Sequence, residues 1–254
     1  MKRIKLTVAY DGTAFSGWQS QPEQRTVEGV INEALSRLTG EKTAVIGASR
    51  TDAGVHALGN VAVFDTASEI PAERFCYALN PLLPEDVVAV HSERVEPDWH
   101  PRHQKCRKTY EYRIQNAEMP DPTRRRTSCF VSFPLDIEAM RKAAEYLKGT
   151  HDFASFCCVR TNVKDTVRTI YSLKLEQQAD EIRLTVEGNG FLYNMVRIIA
   201  GTLLQVGRGY FQPEQVKKML EAKNRIEAGA TAPPQGLRLV RIDYEEERKG
   251  EGYK

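Results

Sequence analysis

The chain has 254 residues, of which 41% are apolar and 28% charged, and its 36 Lys and Arg against 34 Asp and Glu leave a net charge of +2. This is a soluble globular composition with enough apolar material for a sizeable core, in one large domain or two small ones. It excludes a chain-wide basic footprint, although charge can still be local.

No apolar run approaches the roughly 20 residues of a membrane span. Asp11 ends the first apolar stretch too early for a signal peptide, so the expected location is the cytoplasm. Five cysteines, odd in number and without CxxC spacing, make neither a disulfide framework nor a zinc site.

IKLTVAY (4–10) alternates apolar and polar residues and reads as a strand. VEGVINEALSRL (27–38) has helical spacing, with Thr26 as N-cap and Gly40 as stop. TAVIGAS (43–49) and NVAVFDT (60–66) read as strands, PAERFCYALN (71–80) as a helix opened by Pro71, and DVVAVHSERV (86–95) as a strand. The order is β-α-β-β-α-β, the ferredoxin-like arrangement.

The second half repeats that order. KTYEYRIQN (108–116) is a strand, LDIEAMRKAAEYLKG (135–149) an amphipathic helix, and TVRTIYSLKLEQQ (166–178) with EIRLTVEG (181–188) a hairpin. FLYNMVRIIAGTLLQVG (191–207) is a long apolar helix, PEQVKKMLEA (213–222) an extra short one, and GLRLVRIDY (236–244) a closing strand. The expected fold is α+β with two ferredoxin-like domains, residues 1–104 and 105–254, and the charged, apolar-poor tail EEERKGEGYK is expected to fray.

Three features ask for chemistry. SRTDAGVHALG puts Asp52, flanked by Arg50 and Gly54, in a loop between two strands. An aspartate there can simply shape a turn, but a loop on a rigid frame is also where reactive groups sit. Arg197 lies in the middle of the apolar helix, where a guanidinium either snorkels to the surface or is paired, with Asn194 three residues before it. Tyr110 and Tyr112 share one face of a strand, either as core or as a base-stacking surface. HPRHQKCRK (100–108) and TRRR (123–126) are either solvated faces or a phosphate track.

SRTDAGVHALGNVAVF, KTYEYRI, GFLYNMVRIIAGTLLQVGRG, YDGTAFSGWQSQP (10–22) and TAPPQGLRLVRIDY (231–244) together resemble the tRNA pseudouridine synthase I family, the TruA type, over nearly the whole chain. The resemblance implies two ferredoxin-like domains with sheets joined across a central cleft, working as a homodimer. It implies isomerisation of uridine to pseudouridine at positions 38 to 40 of the tRNA anticodon stem-loop, with no cofactor and no metal. Asp52 matches the family's essential aspartate, Arg197 the arginine that pairs with it, Tyr110 the tyrosine that stacks on the uracil, and Arg50 the arginine that helps evert the base. Ser49 stands where the family has a glycine, and Arg238 where it often has an aromatic. A non-catalytic RNA-binding pair of domains would want aromatic RNP strands, and a glycosidase-like hydrolase would want a second acid beside Asp52. Neither feature is in the sequence.

Overall fold

The structure is a computed structural model that describes residues 1–158 and 165–245. The tail beyond Glu245, expected to fray, lies outside the described residues. The chain forms two compact units, one of Met1–Cys106 with the chain from Leu239 on, the other of Arg107–Arg238. Both mix helices with antiparallel strands, so the α+β class is found. No helix among the described residues is long and apolar enough to cross a membrane.

The first unit runs β1 (Lys2–Tyr10), α1 (Val27–Thr39), β2 (Ile46–Gly47), β3 (His56–Thr66), α2 (Phe75–Leu79) and β4 (Val87–Val95). In its sheet β1 is central, antiparallel to β3 from Lys2↔Thr66 to Tyr10↔Ala57 and to β4 from Arg3↔Val95 to Tyr10↔Val87. α1 begins as its sequence dictates, with the Thr26 hydroxyl accepting the Gly29 N–H, and it ends at Gly40 in the left-handed region at φ 72°. It buries Ile31 and Leu35 completely, each contributing roughly 1.5–3 kcal/mol.

Two elements are shorter than their sequences suggest. Of 43–49 only Ile46–Gly47 pairs as a strand, because side chains of α1 take the amides that a ladder would use. Asn32 Oδ1 accepts from Val45 N at 2.8 Å and Ser36 Oγ from Thr43 N at 3.1 Å. The segment 71–80 is α-helical only over Phe75–Leu79, with single 3₁₀ turns on either side, the second containing Pro81. Conversely β3 starts at His56, so all of the GVHALGN stretch but Gly54 and Val55 belongs to a strand, and the loop before it is only 48–55.

The second unit runs β5 (Cys106–Asn116), β6 (Cys129–Val131), α3 (Ile137–Glu145), β7 (Gly149–Asp152), β8 (Val167–Gln178), β9 (Glu181–Gly188), α4 (Met195–Gly207) and α5 (Gln215–Ala222). Its strands lie in the order β5-β9-β8-β7, with β6 parallel to β5. On β9 the residues alternate, Ile182, Leu184 and Val186 buried and Glu181, Arg183 and Thr185 half-buried, the pattern of a sheet covered on one face. The apolar helix begins four residues later than its hydropathy suggests. Asn194 sits in the left-handed region at φ 62°, which no helix interior admits, and so caps α4. The last strand, β10 (Leu237–Tyr244), departs from the expected division. From Leu239 on it belongs to the first unit, beside β3, where Tyr244 meets Trp99 edge-on at 4.9 Å.

Candidate active site

The loop 48–55 of the first unit is held by its backbone. Asn60, fully buried on β3, reaches back to Ser49: its Oδ1 accepts from Ser49 N at 3.3 Å and its Nδ2 donates to Ser49 O at 3.0 Å. The same amide accepts from Val61 N at 3.0 Å and donates to the Tyr10 hydroxyl at 3.3 Å. Tyr10 OH and Thr51 Oγ1 share a hydrogen bond of 2.8 Å, and Thr51 O accepts from Trp18 N at 3.0 Å. A side chain satisfying three backbone groups is how a loop stays ordered without a ladder.

Close packing adds to these bonds. A Cβ on Gly12 would lie 2.0 Å from Val55 O, and one on Gly47 2.3 Å from the buried indole of Trp18. Gly54 takes φ 76°, and the chain turns there with Val55 N donating to Asp52 O at 3.1 Å. At the end of the loop Gly12 N donates to Nδ1 of buried His56 at 3.1 Å.

On this frame Asp52 is half-buried and Arg50 exposed. Arg102, from the first basic run, reaches the base of the loop and donates from Nε to Gly47 O at 2.7 Å. Burial, with the nearby charge of Arg50 second, lowers its pKa from the ordinary arginine value.

The other two candidates belong to the second unit. Tyr110, on β5, is buried and meets Phe191 edge-on, ring centres 5.2 Å apart. Tyr112, two residues on, is wholly core: its hydroxyl donates to Pro233 O at 2.8 Å, and burial pushes its pKa far above the usual phenol range. Arg197 is half-buried on α4 and donates from Nε to Ala232 O at 2.8 Å and from Nη1 to Asn194 Oδ1 at 2.9 Å. Asn194 therefore serves Arg197 as the sequence spacing suggests, but from the cap rather than from the helix.

The second basic run differs from the phosphate track expected of it. Arg124 is bound to Asp180 through both terminal nitrogens and to Asp121 from Nε at 3.1 Å, while Arg125 donates to Pro122 O at 2.9 Å. Two carboxylates already answer the Arg124 charge. Arg238 meets Glu111 at 2.7 Å, and Glu111 also holds Arg113 at 2.6 Å. Among the described residues no group of His, Cys, Asp and Glu is arranged to hold a metal ion, and the five cysteines are free.

The sequence reading passed over Asn60, Trp18 and Arg102 as individual residues. Asn60 carried a signal nonetheless, as an amide at the edge of an apolar strand, the kind of buried polar residue that must have partners.

The family model described as tRNA pseudouridine synthase matches residues 6–104 and 143–245, which hold Asp52, Arg50 and Arg197, while Tyr110 lies between the matched stretches. Curated relatives named tRNA pseudouridine synthase A are similar over almost the entire chain. The one from Brevibacillus brevis is 50% identical over 244 residues, 96% of this chain and 100% of its own. The one from Thermoanaerobacter sp. is 48% identical with the same coverage, and that from Bacillus subtilis 46% identical over 245 residues, 96% of this chain and 99% of its own. Among solved structures, a Cbf5–Nop10–Gar1 complex matches over 94% of this chain and 59% of that one, at 12% identity and a TM-score of 0.36, too slight a likeness to argue from.

Proposed function

The chain belongs to the tRNA pseudouridine synthase family and isomerises uridine to pseudouridine in tRNA; from that premise we propose that it acts at positions 38 to 40 of the anticodon stem-loop, with Asp52 as the essential carboxylate. The observation that supports Asp52 is the build of its loop. Asn60, Tyr10 and Trp18 fasten Ser49 and Thr51 just before this residue, and Gly54 N donates to Phe15 O at 3.3 Å just after it, so that its carboxylate is presented from a fixed position.

The reaction breaks the bond from uracil N1 to ribose C1′, turns the base and joins C5 to C1′. A stacked base cannot undergo this, so it is flipped out first. Arg50, exposed at the edge of the loop, is the residue proposed to help evert it. An ionised carboxylate then acts as nucleophile at C1′, as base at C2′ or as stabiliser of a cationic sugar. One acid suffices, because the detached uracil is itself the returning nucleophile and no water has to be activated. Tyr110 is the residue proposed to stack on the uracil while it turns, and Arg197 the counter-charge that keeps Asp52 ionised.

The active species is proposed to be a homodimer built from two ferredoxin-like halves per chain, the first carrying the aspartate loop and the second the tyrosine strand and arginine helix. Sedimentation at the mass of one chain at micromolar concentration contradicts the dimer. The reaction is tested by tritium release from tRNA labelled at uridine C5. The isomerase frees the label while the base is retained, and failure to release it contradicts the reading. Placing the label at positions 38 to 40 alone tests the site of action.

A further inference from the structure

We propose that Arg102 and Arg50 together form a clamp for one backbone phosphate of the RNA, beside the uridine that Asp52 attacks. The proposal rests on the reading of Asp52 given above and adds a binding residue to it. HPRHQKCRK carries four Lys and Arg and two His, yet these groups are used differently. Arg107 is paired with Glu187 at 3.1 Å and lies over the ring of Tyr171. His100 and His103 stack on each other at 3.9 Å, and burial lowers the pKa of His100.

Arg102 is fastened at the root of the catalytic loop. Its bond to Gly47 O uses Nε, and the two terminal nitrogens of the fork make no hydrogen bond among the described residues. Arg50 follows Gly47 by three residues, is exposed, and has no hydrogen bond or ion pair among the described residues. The two guanidinium groups are close enough for the charge of one to disfavour that of the other, which is an unfavourable placement in the free protein. Glu28 is the acid that acts on Arg102 from nearby, and one of its oxygens already accepts from Ser20 N at 2.6 Å. Two cationic forks without a carboxylate of their own suit a single tetrahedral anion, which each can grip with two donors. In an enzyme that flips a nucleotide, the anion next to the flipped base is a phosphodiester, and gripping it fixes the backbone about which the base turns.

The test compares wild type with Arg102→Gln and Arg102→Lys on tRNA assembled with a single uncharged methylphosphonate linkage at each position flanking the target uridine. Wild-type binding is expected to weaken at one linkage, and Arg102→Gln to be indifferent at that same linkage. The slope of log K against log salt should fall by about 0.7–0.9 in Arg102→Gln, one phosphate's share, and by less in Arg102→Lys, which keeps the charge. Equal sensitivity of wild type and Arg102→Gln at every linkage overturns the proposal. So does a fall in kcat at saturating tRNA with an unchanged salt slope in both variants, which would make Arg102 only a brace for the Gly47 carbonyl. Titration showing Arg102-dependent binding of inorganic phosphate without any linkage effect assigns the site to free phosphate and also overturns it. Tritium release by the wild type on the same tRNA reads the reaction itself independently of all these outcomes.

Discussion

Replacing Asn60 by Ala tests whether the aspartate loop is held from beneath. The change removes four hydrogen bonds, two at 3.0 Å and two at 3.3 Å, from a residue with no exposed surface. At about 1 kcal/mol each for the shorter two and less for the longer, plus the cost of leaving backbone groups of Ser49 poorly satisfied, the loss comes to about 2–4 kcal/mol. For a chain of this size that lowers the melting midpoint by roughly 5–15 °C in the transition that includes the first unit. Because Asn60 is buried and cannot touch RNA, kcat should fall while KM stays nearly constant. Asn60→Asp separates the terms. It keeps the acceptor but turns an oxygen toward the Ser49 carbonyl and buries a charge, so its folded pKa should lie above the unfolded carboxylate value. Its stability deficit should then be small below the unfolded pKa and grow as pH rises through the folded one. Calorimetry across pH 4 to 8 with steady-state kinetics reads both. A midpoint within about 2 °C of wild type and an unchanged kcat in Asn60→Ala would show that the loop is ordered by something else.

Asp52→Asn should reduce turnover below roughly one thousandth of wild type while tRNA affinity stays within a few fold, read by tritium release and filter binding. Arg197→Met should lower activity by orders of magnitude and Arg197→Lys by less, since lysine keeps the charge but not the planar fork that reaches Ala232 O and Asn194 Oδ1; equal losses would mean that the charge is irrelevant. Gly201→Ala places a Cβ 1.8 Å from the Ala230 carbonyl, so it should destabilise by about 1–3 kcal/mol or more and, by shifting 230–232, disturb the Ala232 carbonyl that Arg197 holds. A wild-type melting midpoint would refute that. Arg124→Ala should leave the salt dependence of tRNA binding unchanged, because Asp121 and Asp180 already neutralise that side chain; a slope reduced by about one unit would show that it contacts phosphate.

The long, regular elements were readable because local pattern and tertiary need agree in them. The caps Thr26 and Gly40 bound α1, and the alternation of β9 matches a sheet covered on one face. The misses share a different cause, a side chain or backbone conformation overriding pattern. Asn32 and Ser36 take amides that hydropathy assigned to a strand, and left-handed Asn194 delays α4 by a turn that its apolar sequence would have allowed. The candidate residues stood out in the sequence for their chemical type, whereas their supports did not. Arg102 meets Gly47 at a sequence separation of 55, and no local pattern encodes such a contact. The Arg124 pairs are hidden in the same way, since Asp180 lies far along the chain from TRRR.

The Asn60 brace also bears on Ser49, which occupies a place where a glycine is usual in the resembling family. Asn60 engages the amide and the carbonyl of Ser49, groups every residue but proline carries in full. Ser49 is not among the residues at positive φ, so no conformational privilege of glycine is invoked there. What constrains it is volume, for it is 95% enclosed. Position 49 is thus free to drift between the smallest amino acids without the loop registering the exchange, while anything larger than alanine or serine is shut out. Divergence at this site is silent by construction, and conservation beside a reactive residue can reflect room rather than chemistry.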